Sequence, residues 1–208
     1  LNEGVRNRLG GLHSAKILMQ SVDFAEIEQF QACGQWQEAG EYLADAAFGL
    51  QQAGAEMILI CTNLMHKVAP AIEAKIEIPL LHIADATGEA IQRQGLSRVG
   101  LLGTRYTMEE DFYRRRLKDN FDLEVVIPDA DEREYIHRII FDELCQGKFT
   151  TESRNHYLHI IEKLRRQGAQ GVVLGCTEIP LLVRQEDTDL PLFNTAALHV
   201  QYALEKIF

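Results

Sequence analysis

A short sequence pattern occurs twice in this chain, and it limits the possible folds more than any other feature. Residues 53–63 read AGAEMILICTN, and residues 167–178 read QGAQGVVLGCTE. Downstream, an X-Pro-apolar segment at 78–81 is repeated at 190–193, and each copy precedes a helical pattern. Both copies therefore read helix, turn, strand, Cys-Thr-polar, helix, strand, helix, which indicates a duplicated α/β domain.

Short apolar runs alternate with helical patterns along the whole chain. The runs are rich in Val, Ile and Leu, as are strands that are buried on both faces. These predicted strands lie at 15–21, 56–60, 99–102, 123–127 and 171–175. Helices are predicted between and after them, at 35–53, 63–75, 84–94, 106–118, 131–146, 151–167 and 195–207. Such alternation predicts parallel sheets flanked by helices.

We therefore predict two similar α/β domains of flavodoxin-like type, each with a parallel sheet and related by pseudo-two-fold symmetry. The first covers 1–95 and the second 96–208, and helix 195–207 is a candidate to pack back onto the first. The second domain opens with a strand near Arg98, far ahead of its Cys-Thr motif. The same offset in the first domain falls before Leu1, so we expect the first domain to lack its N-terminal strand.

Composition excludes several classes of protein. The 21 Lys and Arg against 31 Asp and Glu leave a net charge of −10, which argues against a nucleic-acid or anionic-membrane partner. No apolar run approaches the roughly 18 residues that a membrane span needs, and the first residues do not read as a signal peptide. The four cysteines form no CxxC motif, which is typical of a cytoplasmic protein with reduced thiols.

Two of the cysteines, Cys61 and Cys176, occupy matching positions in the repeat, each after a strand and before Thr and a polar residue. Ligands of open α/β sheets bind at this carboxyl edge of the strands. A thiol that faces a helix N-terminus there gains thiolate character. A free cysteine is more often an inert, buried apolar residue. The duplication of the flanking polar residues favours function, whereas Cys33 and Cys145 have no repeat partner and read as structural.

Two matched thiols are compatible with only a few types of reaction. Disulfide exchange usually uses a CxxC motif and zinc usually takes four clustered ligands, so neither fits. Inversion at an acidic carbon does require two groups, because one removes a proton from one face while the other supplies a proton to the opposite face. No metal and no cofactor are expected.

With these motifs the chain resembles the aspartate/glutamate racemase family, the cofactor-independent amino-acid racemases, over essentially its whole length. The segments that carry the resemblance are Ser21-Val22-Asp23-Phe24, Cys61-Thr62-Asn63, Met65-His66-Lys67, Gly103-Thr104 with Thr107-Met108, Gly175-Cys176-Thr177-Glu178-Ile179-Pro180, and Leu198-His199. The resemblance implies that Cys61 and Cys176 are the acid/base pair of a proton transfer at Cα that is independent of pyridoxal phosphate. It also implies a homodimer.

The resemblance also implies residues that bind the substrate. Thr62, Asn63 and Thr177 would hold the α-carboxylate and ammonium groups. Thr104 and Thr107 would supply further donors, which could stabilise the enolate-like charge that develops as the α-proton leaves.

Three further residues are candidates with open alternatives. Glu178 is a candidate substrate-binding residue, and its charge reads either as one at a helix N-terminus or as a partner of the Cys176 thiol. Lys148 is a candidate to bind a side-chain carboxylate of the substrate. His199 is a candidate to orient Cys176, and the alternative is a buried core histidine.

The leading hypothesis is thus an amino-acid racemase of the aspartate/glutamate type. One alternative keeps the scaffold and changes the substrate, as in a hydantoin racemase or a related isomerase. Another is a protein that binds an amino acid without turning it over. The identity of the amino acid, and which cysteine acts on which enantiomer, stay open.

Overall fold

The computed structural model describes residues 1–208 and divides into two compact units. Unit 1 comprises residues 1–60, 65–82 and 200–208, and unit 2 comprises residues 61–64 and 83–199. The sequence repeat predicts a boundary at Gly95, but the two structural units do not divide there. The helix that starts at Ile83 belongs to unit 2, and the last residues of the chain belong to unit 1.

Unit 1 contains a two-stranded parallel sheet, in which Ile58 pairs with Leu80 and Leu59 with Leu81. Its strands are β1 (Ile58–Leu59) and β2 (Leu80–Leu81), and its helices are α1 (Asn2–Leu9), α2 (Phe24–Cys33), α3 (Trp36–Gln52) and α4 (Ala69–Glu73). The Asp23 side chain accepts a hydrogen bond from the backbone N–H of Ala25 and so caps α2.

Unit 2 contains a four-stranded parallel sheet in the order β4-β3-β5-β6, with helices around it. Its strands are β3 (Arg98–Gly103), β4 (Glu124–Val126), β5 (Val172–Gly175) and β6 (Leu192–Asn194). The helices are α5 (Ile83–Arg93), α6 (Arg105–Glu109), α7 (Asp111–Phe121), α8 (Ala130–Asp142), α9 (Thr151–Arg166), α10 (Ile179–Leu182) and α11 (Thr195–Ile207), whose residues from Val200 onward belong to unit 1.

Helix α5 belongs to unit 2 because its polar and charged side chains bind α7. The Tyr113 hydroxyl donates to the Thr87 hydroxyl over 3.1 Å, and both residues are fully buried. Arg116 forms a two-pronged ion pair with Asp85, at 2.6 and 2.7 Å. These contacts place the end of the first sequence repeat in the second structural unit.

The prediction of a strand at 15–21 is wrong. That segment pairs with no other strand, and its residues Ile17, Leu18 and Met19 are exposed. The duplication explains the difference. From α1 onward, unit 1 repeats the element order that unit 2 shows from α7 onward, and in unit 2 the equivalent strand β4 pairs only with β3. Unit 1 has no counterpart of β3, so the segment has no strand beside it.

The cores of the two units differ for the same reason. Unit 2 has one core cluster, in which Val99, Leu101 and Leu102 of β3 are completely buried. Unit 1 has two smaller clusters, one around Ile58 and the other around Ile27, and Leu43 and Ile60 pack against both.

The predicted helices are confirmed except where three of them are interrupted. Residues 106–118 form α6 and α7, which are separated at Glu110, where the backbone is extended. Residues 63–75 begin as a 3-10 helix (Leu64–Val68) before α4, and residues 131–146 end in a second 3-10 helix (Leu144–Gln146). Helices α1, α2 and α10 lie outside the predicted set. None of the helices has both the length and the apolar character to cross a membrane.

Candidate functional site

The Cys176 thiol lies at the carboxyl end of β5, where glycines allow two strands to approach closely. Gly103 of β3 is in register with Gly175. A Cβ atom at Gly175 would lie 2.9 Å from the Leu102 carbonyl oxygen, and one at Gly103 would lie 3.0 Å from the Gly175 carbonyl oxygen. Because a side chain at either position would clash with backbone, this sheet edge requires glycine directly before both Thr104 and Cys176.

The Cys176 thiol is hydrogen-bonded to the carboxylate of Glu178. Its Sγ donates to Glu178 Oε2 over 3.0 Å, and the Thr177 hydroxyl donates to the same oxygen over 2.7 Å. Glu178 precedes α10 but makes no side-chain cap to that helix. Of the two interpretations of Glu178, the structure therefore selects the partner of the thiol.

This environment raises the pKa of Cys176 well above that of an ordinary thiol. Burial is the largest cause, followed by the negative charge of Glu178 and by the hydrogen bond that the thiol donates to it. The expected gain of thiolate character at a helix N-terminus is thus wrong for Cys176. Helix α10 has only four residues, so its dipole is small beside burial and an adjacent carboxylate.

Two residues that the sequence analysis does not assign to the site lie within electrostatic range of Cys176 and Glu178. Desolvation and then the charge of Glu178 raise the pKa of Cys145. Tyr157 is fully buried, its hydroxyl donates to the Ile136 carbonyl, and burial followed by the charge of the Cys176 thiolate raises its pKa. No local motif marks either residue, because Cys145 lies in the second 3-10 helix and Tyr157 on α9, and only the tertiary fold brings them near β5.

Cys61 follows β1 by two residues and is exposed, but the segment that it begins, 61–64, belongs to unit 2. The side chain of Asn63 explains why. Its Nδ2 donates to the Thr195 hydroxyl over 3.0 Å, and that hydroxyl donates to the Leu174 carbonyl over 2.9 Å. The segment that carries Cys61 is therefore attached to the strand that leads to Cys176.

Asn63 has one unsatisfied polar atom. Its side chain is only 2% exposed, and Oδ1 is buried with no hydrogen-bond partner in the protein. Buried amide oxygens are almost always paired, so an unpaired one beside a candidate site indicates a donor that a ligand could supply.

The predicted donors Thr104 and Thr107 bind each other. Thr104 caps α6 by accepting from the Thr107 backbone N–H, and the two hydroxyl oxygens lie 3.1 Å apart. Thr107 is 1% exposed, and a Cβ at Gly103 or Gly175 would contact its side chain. Both threonines thus stand at the same sheet edge as Cys176, where capping accounts for part of their hydrogen bonding.

The remaining predicted residues lie in different surroundings. Thr62 is half-buried between Cys61 and Asn63, and His199 is buried on α11, one turn after Thr195. Lys148 is exposed in the turn that follows the second 3-10 helix. No group of three or more His, Cys, Asp or Glu side chains is arranged to hold a metal ion.

Comparison with known proteins identifies the family. The model of the Asp/Glu/Hydantoin racemase family matches residues 1–203. The structure of a candidate Asp/Glu racemase from Yersinia pestis is 54% identical, superposes with a TM-score of 0.93, and the match covers 99% of this chain and 89% of that chain. The structure of an aspartate racemase homologue from Pyrococcus horikoshii OT3 is 35% identical, with a TM-score of 0.85 and coverage of 99% and 88%.

A more distant relative has a curated name. The broad specificity amino-acid racemase of Bacillus subtilis strain 168 is 22% identical over 168 residues, which cover 77% of this chain and 68% of that protein. The family match spans nearly the whole chain and agrees with the parallel α/β fold. The chain therefore belongs to the Asp/Glu/Hydantoin racemase family and is an isomerase.

Proposed function

We propose that the protein is an amino-acid racemase that uses Cys61 and Cys176 as its acid/base pair, without a metal or an organic cofactor. The observation that carries the proposal is the hydrogen-bonded link from Asn63 through Thr195 to Leu174. This link holds the segment that begins with Cys61 against the strand that ends at Cys176, so two cysteines far apart in sequence belong to one compact unit.

The protonation of Cys176 gives the reaction a starting state. Because its pKa is raised, Cys176 is a thiol at neutral pH and can donate its proton to Cα. In that direction Cys61 acts as the thiolate and takes the α-proton from the opposite face. The products are the other enantiomer, a Cys61 thiol and a Cys176 thiolate, and the reverse turnover exchanges the two roles.

Glu178 makes the state in which Cys176 is the thiolate reactive. A thiolate at Cys176 would stand next to the Glu178 carboxylate, in a buried place where like charges repel strongly. That repulsion makes the Cys176 thiolate a strong base, suited to removing a weakly acidic α-proton. Glu178 therefore acts through Cys176, and the same carboxylate remains hydrogen-bonded to Thr177 throughout.

The polar groups at the sheet edge match the α-substituents of an amino acid. The unpaired Oδ1 of Asn63 is an acceptor for an ammonium group. The hydroxyls of Thr62, Thr104 and Thr107 are donors for the α-carboxylate and for the enolate-like charge that forms after proton removal. The Thr177 hydroxyl, which the resemblance assigns to the substrate, gives its one proton to Glu178 instead. Lys148 is the candidate for a side-chain carboxylate, and the names of the relatives include both aspartate and glutamate racemases.

The test is incorporation of solvent deuterium at Cα of L- and D-aspartate, L- and D-glutamate and a panel of neutral amino acids. We expect exchange with both enantiomers of at least one of them. Cys61→Ser and Cys176→Ser should each reduce exchange by about 100-fold or more, because a serine hydroxyl is a much weaker acid than a thiol. Cys33→Ser, which changes an exposed cysteine at the end of α2, is the matched control and should leave the rate unchanged.

Absence of exchange across the whole panel would reject the racemase. Racemisation of hydantoins in the same assay would move the assignment to the alternative substrate class, and binding of an amino acid by calorimetry without exchange would favour a protein that only binds. We also expect a homodimer in the cytoplasm. Sedimentation equilibrium of the purified protein tests the dimer.

A further inference from the structure

The hydroxyl of Thr195, the first residue of α11, stands between the two segments that carry the cysteines. Thr195 is 1% exposed. It donates to the carbonyl of Leu174, which precedes Cys176 by two residues, and it accepts from Asn63, which follows Cys61 by two residues. One hydroxyl therefore connects the backbone of one segment to a side chain of the other.

The same hydroxyl determines which way the Asn63 amide points. A threonine hydroxyl has a single proton, and here that proton is used on the Leu174 carbonyl. Thr195 can therefore only accept from Asn63, which must present its NH2 group to the threonine. This leaves Asn63 Oδ1 on the other side of the amide, where it is buried and unpaired.

We propose that Thr195 is a positioning residue of the racemase site, a role that rests on the proposed function above. It orients Asn63 so that Oδ1 accepts from the α-ammonium group of the substrate, and it holds residues 61–64 against β5. An unpaired buried oxygen is costly to the free protein, and a charged N–H donor of the substrate removes that cost on binding.

The experiment compares Thr195→Val with Thr195→Ser. Valine keeps the shape of the side chain and removes the hydroxyl, so the Asn63 amide loses its acceptor and is free to rotate. We expect kcat/KM for α-proton exchange to fall by about 100-fold, because small displacements of reacting groups have effects of that size. Serine restores the hydroxyl, and its kcat/KM should stay within about threefold of the wild type.

Thr87→Val is a matched control. The Thr87 hydroxyl is also fully buried in unit 2, donates to a backbone carbonyl (Ile83, 2.9 Å) and accepts from a side chain (Tyr113, 3.1 Å). Its loss should lower the melting temperature as much as the loss at Thr195 does. It should leave kcat/KM within about threefold of the wild type, because Thr87 holds no segment that bears a cysteine.

A binding measurement separates the orientation of Asn63 from general damage. L-Aspartate and succinate differ only in the α-ammonium group. Thr195→Val should weaken calorimetric binding of L-aspartate by about tenfold or more and that of succinate by less than about twofold, since only the former uses Asn63 Oδ1. If glutamate is the substrate, L-glutamate and glutarate form the equivalent pair.

The outcomes are distinct. A Thr195→Val variant with unchanged kcat/KM, or a Thr87→Val variant with an equal loss, would overturn the role of Thr195. If the wild type exchanges no α-proton, the proposed function fails, and calorimetric binding of the amino acid and of its des-amino analogue alone tests the role of Thr195. If the wild type then binds the amino acid more tightly than its des-amino analogue and Thr195→Val removes that difference, the orientation of Asn63 is supported. If the wild type binds both ligands equally, it is rejected.

Discussion

The environment of Cys176 shows how one carboxylate can define the chemistry of a thiol. Free thiolates are usually stabilised at reactive cysteines by positive charge or helix N-termini. Here Glu178 accepts a hydrogen bond from the thiol over 3.0 Å, and burial and the negative charge of Glu178 act together to raise the pKa of Cys176. A raised pKa keeps the proton on this thiol, and it is the property on which the proposed acid/base role of Cys176 depends.

Glu178→Gln tests this at the level of the residue. Loss of the negative charge should lower the pKa of Cys176, which stays above its ordinary value because burial, the larger cause, remains. The pKa is measured as the pH midpoint of alkylation at Cys176, resolved from the other cysteines by peptide mass spectrometry. Thr177→Val is the control, because it removes a donor to the carboxylate and keeps the charge. An unchanged or higher midpoint in Glu178→Gln would contradict the role of the carboxylate.

At the level of secondary structure, β1 has one edge that pairs with no other strand. In unit 2, β5 pairs with β6 on one side and with β3 on the other, whereas β1 pairs only with β2. The segment 15–21, equivalent to β4 in the order of elements, exposes Ile17, Leu18 and Met19. In unit 2, β3 pairs with the edge of β5 that corresponds to the unpaired edge of β1.

This position should accept a parallel apolar strand supplied in trans. A synthetic peptide with the sequence of β3, RVGLLG, is the probe, because β3 shows which chemistry fills the equivalent place. We expect it to slow backbone hydrogen exchange at residues 16–19 and 58–60 and to raise the melting temperature. A peptide of the same composition in scrambled order is the control. Equal protection by both peptides, or by neither, would show that unit 1 has no such position.

Stability of the whole molecule should fall at alkaline pH. Burial raises the pKa of Tyr157 and Tyr113 far above the ordinary tyrosine value, and that of Cys176 above the thiol value. The unfolded chain loses these protons first, from about pH 8.5 for the thiol and about pH 10 for the tyrosines. Above those values the native state holds more protons, and the free energy of unfolding decreases as pH rises. Below the unfolded-state pKa values these groups cause no pH dependence.

Denaturant unfolding at a series of pH values measures the effect. Each retained tyrosine proton contributes a slope of about 1.4 kcal/mol per pH unit. Tyr157→Phe should make the alkaline decline shallower by about one such contribution. An equal slope in wild type and Tyr157→Phe would show that Tyr157 ionises as readily in the folded protein as in the unfolded chain.

Much of the architecture follows from local sequence. The apolar runs that became β3, β4 and β5 and the helical patterns that became α3, α5 and α9 are long or regular enough for their period to identify them. The run at 15–21 has the same composition but is not a strand, because a strand exists only when a neighbour completes its hydrogen bonds. The break between α6 and α7 could not be predicted from the sequence either. The pattern at 106–118 has one helical period, which the cap at Thr104 and the extended backbone at Glu110 divide into two helices.

By itself the sequence determined the α/β class, the duplicated pattern and the matching positions of Cys61 and Cys176, because repeats and periods are properties of order along the chain. Only the tertiary structure decided that the Cys176 thiol is hydrogen-bonded to Glu178 and that the pKa of this thiol is raised. It also decided that Thr195 joins the segments of the two cysteines, and that Cys145 and Tyr157 lie near one of them. These depend on burial and on contacts between distant residues, which set pKa values and hydrogen bonds and which no local pattern records.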